Sequence, residues 1–163
     1  MIHFETLKKE ELAKFTDQLF AIMAENMSVY VENEAGTEAG KALWAAKAGE
    51  ALKSRSRNMV LIRSDAELIG FFLYEIREMA LTIEDMQIKP EWQGKSNVFW
   101  MLFNFIAPEL PETLKYIRTK TKKKNAKADG VIRHLGMSVV GETEASYLYE
   151  GKFSDFLRWF NRK

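Results

Sequence analysis

Between Leu81 and Ala107 the sequence sets out a strand, LTIEDMQIK, a glycine-containing loop, PEWQGKSN, and an apolar helix that begins near Val98. A strand that passes through such a loop into a helix aims unpaired backbone N–H groups at one point. The helix start carries about half a positive charge, so an anion such as a pyrophosphate can be held there without side chains. Glu84 and Asp85 lie on the same strand and, being adjacent, point to opposite faces. Either can act as a general base, directly or through a water, and the competing reading is a pair of solvated or ion-paired strand residues. Tyr147 and Tyr149, on the last strand, are candidate proton donors, against the commoner role of a tyrosine packed in a sheet with its hydroxyl at the rim. From Lys115 to Lys127 the chain carries seven basic residues (Lys115, Arg118, Lys120, Lys122, Lys123, Lys124, Lys127) and no acid. Such a run reads first as a solvated loop and helix start. Nucleic acid is the weaker reading, because no aromatic residue is interleaved after Tyr116.

Composition removes several other chemistries. The 163 residues include no cysteine, which excludes disulfide scaffolds, thiolate nucleophiles and cysteine-ligated zinc. Only His3 and His134 are present, too few for a histidine-rich metal site, so no metal is expected. His134 stands near a helix end, where it caps carbonyls as readily as it catalyses, and His3 reads as packing or surface. The 24 Lys+Arg against 23 Asp+Glu leave a net charge of +1, so a polyanion-binding field over the whole surface is excluded. With no apolar leader and no run approaching 20 apolar residues, the expectation is a cytoplasmic protein without a membrane segment.

The positioning elements follow from periodicity. Met1–Leu7 alternates as a strand, and Leu12, Phe15, Leu19, Ile22 and Met23 draw an apolar stripe along a first helix. Residues 31–41 read as an acidic, glycine-containing loop, and Ala42–Lys53 as a second helix with Leu43, Trp44, Ala48 and Leu52 as candidate buried positions. Strands are expected at Met59–Arg63, Leu68–Glu78, Leu81–Lys89, Leu114–Thr119, Val139–Val140 and Ala145–Glu150. Helices are expected at Val98–Ala107, about 125–135, and Phe153–Phe160. Phe99, Trp100, Phe103 and Phe105 surround one helix and read as core, with one side available as a dimer surface. This order makes a single mixed α/β domain around one sheet.

The run Ile88-Lys89-Pro90-Glu91-Trp92-Gln93-Gly94-Lys95 resembles the acetyl-CoA signature of the GNAT N-acetyltransferase superfamily, in which a strand ending in Pro-Glu leads to Q/R-x-x-G-x-G/A. Asn125, Ala128 and Leu135-Gly136-Met137 resemble that superfamily's second helix motif, N-x-x-A followed by Y-x-x-x-G-F. The resemblance implies a GNAT-like fold over residues 1–163, with a central, mostly antiparallel twisted sheet flanked by helices. It implies acetyl-CoA as co-substrate and direct transfer of an acetyl group to a small-molecule or protein amine. By the same resemblance Gln93, Gly94, Lys95, Ser96, Asn97 and Val98 cradle the pyrophosphate, Ile88 offers backbone to the pantetheine or thioester, and Asn125 contacts the cofactor arm. Glu84 and Asp85 become the candidate bases and Tyr147 a candidate acid. The basic segment would lie beside the 3′-phosphate, and Tyr30, Trp44 and the acids from Glu32 to Glu38 near an acceptor. Oligomeric state stays open, a homodimer included. Two departures stand out: Ser96 and Val98 occupy the later small positions of the loop pattern, and Ile132 stands where the family carries its usual acid, a tyrosine. They define the alternative, a catalytically degenerate GNAT-fold binding or interaction module.

Overall fold

A computed structural model describes residues 1–27, 37–95 and 97–162. Seven strands form one open mixed sheet, β1 (Ile2–Thr6), β2 (Arg57–Ser64), β3 (Glu67–Arg77), β4 (Ala80–Ile88), β5 (Tyr116–Lys122), β6 (Ser138–Glu142) and β7 (Ser146–Lys152). Their order in the sheet is β1-β2-β3-β4-β5-β7-β6. Five α-helices accompany them among the described residues: α1 (Leu12–Met27), α2 (Glu38–Leu52), α3 (Val98–Ile106), α4 (Ala126–His134) and α5 (Phe153–Phe160). The element order is the one the periodicity predicts. Among the described residues no helix is long and apolar enough to cross a membrane.

The chain divides into two compact units, and β3 and β4 contribute residues to each. The first comprises residues 1–73 and 85–98. Here β1 pairs antiparallel with β2, and β2 has four consecutive buried residues, Met59–Ile62. Both faces of that strand are therefore covered, which is why it reads as a continuous apolar run rather than an alternation. On one face Met59, Leu61 and Phe71 meet Leu19 and Ile22 of α1 and Ala48 and Leu52 of α2. On the other, Ile62, Ile69 and Val98 form a second cluster with Phe4, Ile88 and Trp92 packed against it. Each buried aliphatic side chain contributes about 1.5–3 kcal/mol of transfer free energy.

Two expectations for α2 are corrected. It starts at Glu38, because Thr37 caps it, Oγ1 accepting from the Gly40 N–H at 2.9 Å. Residues 38–41 are thus helix, not loop. Leu43 is 44% exposed, since Trp44, Ala48 and Leu52 repeat at four-residue spacing and set the buried face. Leu43 is turned half-way round the helix from Leu52.

The second unit comprises residues 74–84 and 99–163. Ala80–Ile83 of β4 pair in parallel with Tyr116–Thr119 of β5, so the ladder covers only the first part of β4. Thr119 Oγ1 also donates to the Ile83 carbonyl at 2.9 Å. β5 continues to Lys122, three residues past the expected end, because β7 pairs antiparallel with it along its whole length. The alternating sequence RTKTK satisfies a strand once a partner is present. α3 is held against α5 by Phe103, whose ring lies 4.6 Å from Phe156 and 4.7 Å from Phe99, and by Trp100 Nε1 donating to the Phe160 carbonyl. Phe105 is exposed, so that helix is covered on most sides but not all.

Candidate functional site

In the first unit, β4 leaves its ladder carrying Asp85 and Gln87 on one face and delivers the chain to Pro90–Trp92, a single 3₁₀ turn. The end of the strand passes close to β3 at Gly70. A β-carbon there would lie 2.4 Å from the Gln87 carbonyl oxygen, so only glycine allows that approach. Ile69 secures the exit by accepting from the Lys89 N–H at 2.8 Å.

Beyond the turn, Gln93 reaches back. Its Nε2 donates to the Ile88 carbonyl at 3.0 Å and to Asn26 Oδ1 at 3.2 Å. Asn26, in the last turn of α1, donates to the same carbonyl at 2.9 Å and to Gln87 Oε1 at 3.0 Å. Gln87 Nε2 donates in turn to Asp85 Oδ1 at 2.7 Å. Gly94 then adopts φ +71°, and among the described residues, its chain neighbours aside, no atom lies within 4 Å of the place a β-carbon would take; Asn97 adopts φ +50°. These left-handed conformations suit glycine and asparagine and swing the chain into α3. The first N–H groups of α3 have no partner within their own helix, an arrangement that accepts an anion. Ser96 lies outside the described residues.

Val98 is 3% exposed and packs with Ile62 and Ile69. Its branched bulk is in the core and not over the loop. Glu84 is exposed and Asp85 half-buried, as adjacent strand positions on opposite faces require.

In the second unit, Asn125 is the N-cap of α4, its Oδ1 accepting from the Ala128 N–H at 3.1 Å. The N-x-x-A spacing is therefore the spacing of a helix cap and its third residue. Gly136 ends the helix at φ +93°, and Ile132 is buried with no proton to give. Tyr149 is 1% exposed, and its hydroxyl donates to Asp129 Oδ1 at 2.6 Å. Burial, then the Asp129 carboxylate, push the phenol up to about 12. The Tyr149 hydroxyl and then Arg133 hold the Asp129 carboxyl below the usual carboxylate range. Tyr147 is half-buried, edge-on to Tyr149 at 6.3 Å, with Lys123 Nζ 5.3 Å from its ring centroid.

Raising the phenol favours its neutral form in the fold. That contribution to stability is complete below pH about 10 and is lost as pH rises toward about 12. The depressed Asp129 acts oppositely: its contribution is present above pH about 4 and is lost as pH falls through its folded value. Alkaline titration followed at 295 nm should show Tyr149 ionising near pH 12, with Tyr74 also raised by burial and then by Glu109, and Tyr149→Phe should remove one tyrosine's amplitude from the high-pH change. An undiminished amplitude at high pH in the variant would exclude Tyr149 as a source.

The basic segment is partly neutralised from neighbouring strands. Arg118 Nε lies 2.7 Å from Glu150 Oε2 and Lys123 Nζ 3.0 Å from Glu142 Oε2, while Lys115, Lys120, Lys124 and Lys127 are exposed. His134 is exposed with its ring edge toward Trp159, and His3 is exposed on β1. Among the described residues no group of three or more His, Asp or Glu could hold a metal ion. Trp44 packs between Phe20 and Phe71, and Glu38 is exposed beside Lys41. Tyr30 and the acids from Glu32 to Glu34 lie outside the described residues.

Three polar residues escape the sequence reading. Glu75 is 7% exposed inside the apolar run of β3, Asp129 holds the Tyr149 hydroxyl, and Asn26 links α1 to the loop. Asn26 had a legible signal. It continues the stripe Phe15, Leu19, Ile22 at helical spacing, a polar residue where the phase demands a buried one.

No family model matches the sequence, and no curated protein matches it. Solved structures do. The coenzyme A complex of PaiA N-acetyltransferase from Thermoplasma acidophilum superposes with TM-score 0.72 at 15% identity, covering 93% of this chain and 99% of that one. An acetyltransferase from Thermus thermophilus gives 0.72 at 12% identity over 93% and 97%. Mutant forms of the spermidine/spermine N-acetyltransferase SpeG from Vibrio cholerae give 0.63 at 15% identity over 96% of each chain. The chain has the fold of the GNAT N-acetyltransferase superfamily.

Proposed function

We propose that residues 1–163 form one domain that binds acetyl-CoA or a related acyl-CoA and transfers the acyl group directly to an amine. The observation that carries the proposal is the join of β4 to α3. There a left-handed Gly94, whose missing side chain meets no described residue beyond its chain neighbours, precedes a helix start whose first N–H groups have no partner within their own helix, in a fold shared with a coenzyme A complex. The backbone of Gly94, Lys95, Ser96, Asn97 and Val98 holds the pyrophosphate. Gln93 serves through its side-chain bonds to Ile88 and Asn26, which fix the loop. β4 beyond Ile83 offers backbone N–H groups near Ile88 to the pantetheine and to the oxyanion that forms as the amine attacks. Asn125 Oδ1 caps α4, which leaves its Nδ2 for the cofactor arm. Glu84 or Asp85 takes the amine proton, and Tyr147 supplies one to the departing thiolate. A cysteine acyl-enzyme cannot form, because the chain has no cysteine. An amine acceptor is supported by the spermidine/spermine N-acetyltransferase among the neighbours.

The buried Ile132 and the engaged Tyr149 hydroxyl favour a second reading, a GNAT-fold module that binds without catalysing. Calorimetry with acetyl-CoA, followed by thiol release on a panel of amines, separates them. Binding at micromolar concentration with thiol release supports the enzyme, and binding without release on any amine supports the module. No heat at saturating acetyl-CoA overturns both.

A further inference from the structure

Among the described residues, a chain of hydrogen bonds linking β4, α1 and the loop runs in one direction. Asp85 accepts from Gln87 Nε2, Gln87 Oε1 from Asn26 Nδ2, and Asn26 Oδ1 from Gln93 Nε2. An ionised carboxylate only accepts, and a carboxamide accepts at one end and donates at the other. Asp85 therefore decides which way Gln87 faces. Gln87 then decides for Asn26, and Asn26 for Gln93. The opposite end agrees, because the Ile88 carbonyl, also an obligate acceptor, takes one N–H from Asn26 and one from Gln93. Both amide hydrogens of Asn26, and both of Gln93, are placed by these bonds. Were a carboxamide flipped, oxygen would meet oxygen at the Asp85 carboxylate for Gln87, and at the Ile88 carbonyl and a neighbouring amide for Asn26 or Gln93. Gln87 is 9% exposed, so water competes weakly for its two bonds, while Asp85, Asn26 and Gln93 are half-buried.

We propose that Asp85 is a positioning residue, the fixed acceptor of a carboxamide relay through Gln87 and Asn26 that holds Gln93, and with it Gly94 and Lys95, in the conformation that receives the acyl-CoA pyrophosphate. The ligand part of this inference rests on the acyl-CoA reading above; the relay itself does not. The role also differs from that of a general base, which needs a carboxylate. A relay anchor needs only an acceptor oxygen, which asparagine supplies with its Oδ1 turned toward Gln87.

Two variants at one position separate the roles, with Asn26→Ala as a break in the middle of the chain. The first readout is the set of side-chain carboxamide signals of Asn26, Gln87 and Gln93, with the backbone N–H of Gly94, in nitrogen–proton correlation spectra of the full chain. Asp85→Ala should move the Gln93 carboxamide and Gly94 signals although neither residue touches Asp85. Asp85→Asn should leave them near their wild-type places, and Asn26→Ala should move Gln93 while leaving the bond from Gln87 to Asp85 intact. Changes in Asp85→Ala confined to Gln87, or equal changes in Asp85→Asn and Asp85→Ala, would overturn the relay. The second readout is calorimetric affinity for acetyl-CoA. Asp85→Ala and Asn26→Ala should weaken it about tenfold and Asp85→Asn less than about threefold, roughly 1.4 and 0.7 kcal/mol at 25 °C. If the wild-type chain takes up no acetyl-CoA, the acyl-CoA reading fails, and the carboxamide signals still decide the relay. Retained affinity in Asp85→Ala with displaced Gln93 signals would overturn the link to the pyrophosphate.

Discussion

Gly70→Ala is expected to lower the stability of the chain by about 3 kcal/mol and to disturb the proposed acyl-CoA site without touching it. The added β-carbon would lie 2.4 Å from the Gln87 carbonyl oxygen and 3.2 Å from the Ile88 Cα, both backbone atoms. No side-chain rotation can relieve such an overlap, so β3 and β4 must part locally. Overpacking in a core costs about 1–3 kcal/mol, and a rigid backbone neighbour puts this case at the upper end. The strand that would move carries the carbonyl on which Asn26 and Gln93 converge. Denaturant unfolding should show the loss in midpoint at unchanged slope, and acetyl-CoA affinity should fall with it. A variant with wild-type stability would mean that the close approach is not maintained in solution.

The same glycine shows where the sequence is legible and where it is not. Strands and helices could be read because their periods are local: the stripe of α1, the alternation of β1 and the Phe153–Phe160 helix depend on neighbours a few residues away. The start of α2 is a place where a local rule loses to tertiary packing. Glycine argued for a loop, while the Thr37 cap and tertiary packing of Ala48 and Leu52 carried the helix through Gly40. The end of β5 is not legible locally, because Lys120 and Lys122 look like loop until β7 lies beside them. In the candidate site, the positions of Gln93, Gly94 and Val98 are legible as a pattern, but what each side chain does is not. Gln93 and Asn26 are 67 residues apart, and their hydrogen bond leaves no trace in spacing. Asn125 was found by a motif whose local content turns out to be a helix cap, which sequence alone expresses in full.

Val98 is the position where sequence pattern and structure lead to different expectations. By the family's loop pattern, Val98→Gly together with Ser96→Gly should change acyl-CoA binding modestly if the chain already binds it, and create binding if it does not. The structure predicts a loss. The side chain is 3% exposed and packs on Ile62 and Ile69, with Ile88 and Trp92 beside them. Removing it leaves a cavity under the first turn of α3, at the point where the helix must be held if its N–H groups are to face a ligand. A deleted buried aliphatic group costs about 2 kcal/mol with its cavity, and glycine inside a helix adds up to about 1 kcal/mol. Val98→Gly should therefore destabilise the chain by about 2–3 kcal/mol and weaken acetyl-CoA binding, whereas Val98→Ile should change both far less. Thermal unfolding and calorimetry on the two variants decide the matter. Tighter binding in Val98→Gly at wild-type stability would show that the valine obstructs the ligand after all, and that α3 is anchored by Leu102, Phe103 and Ile106 without it.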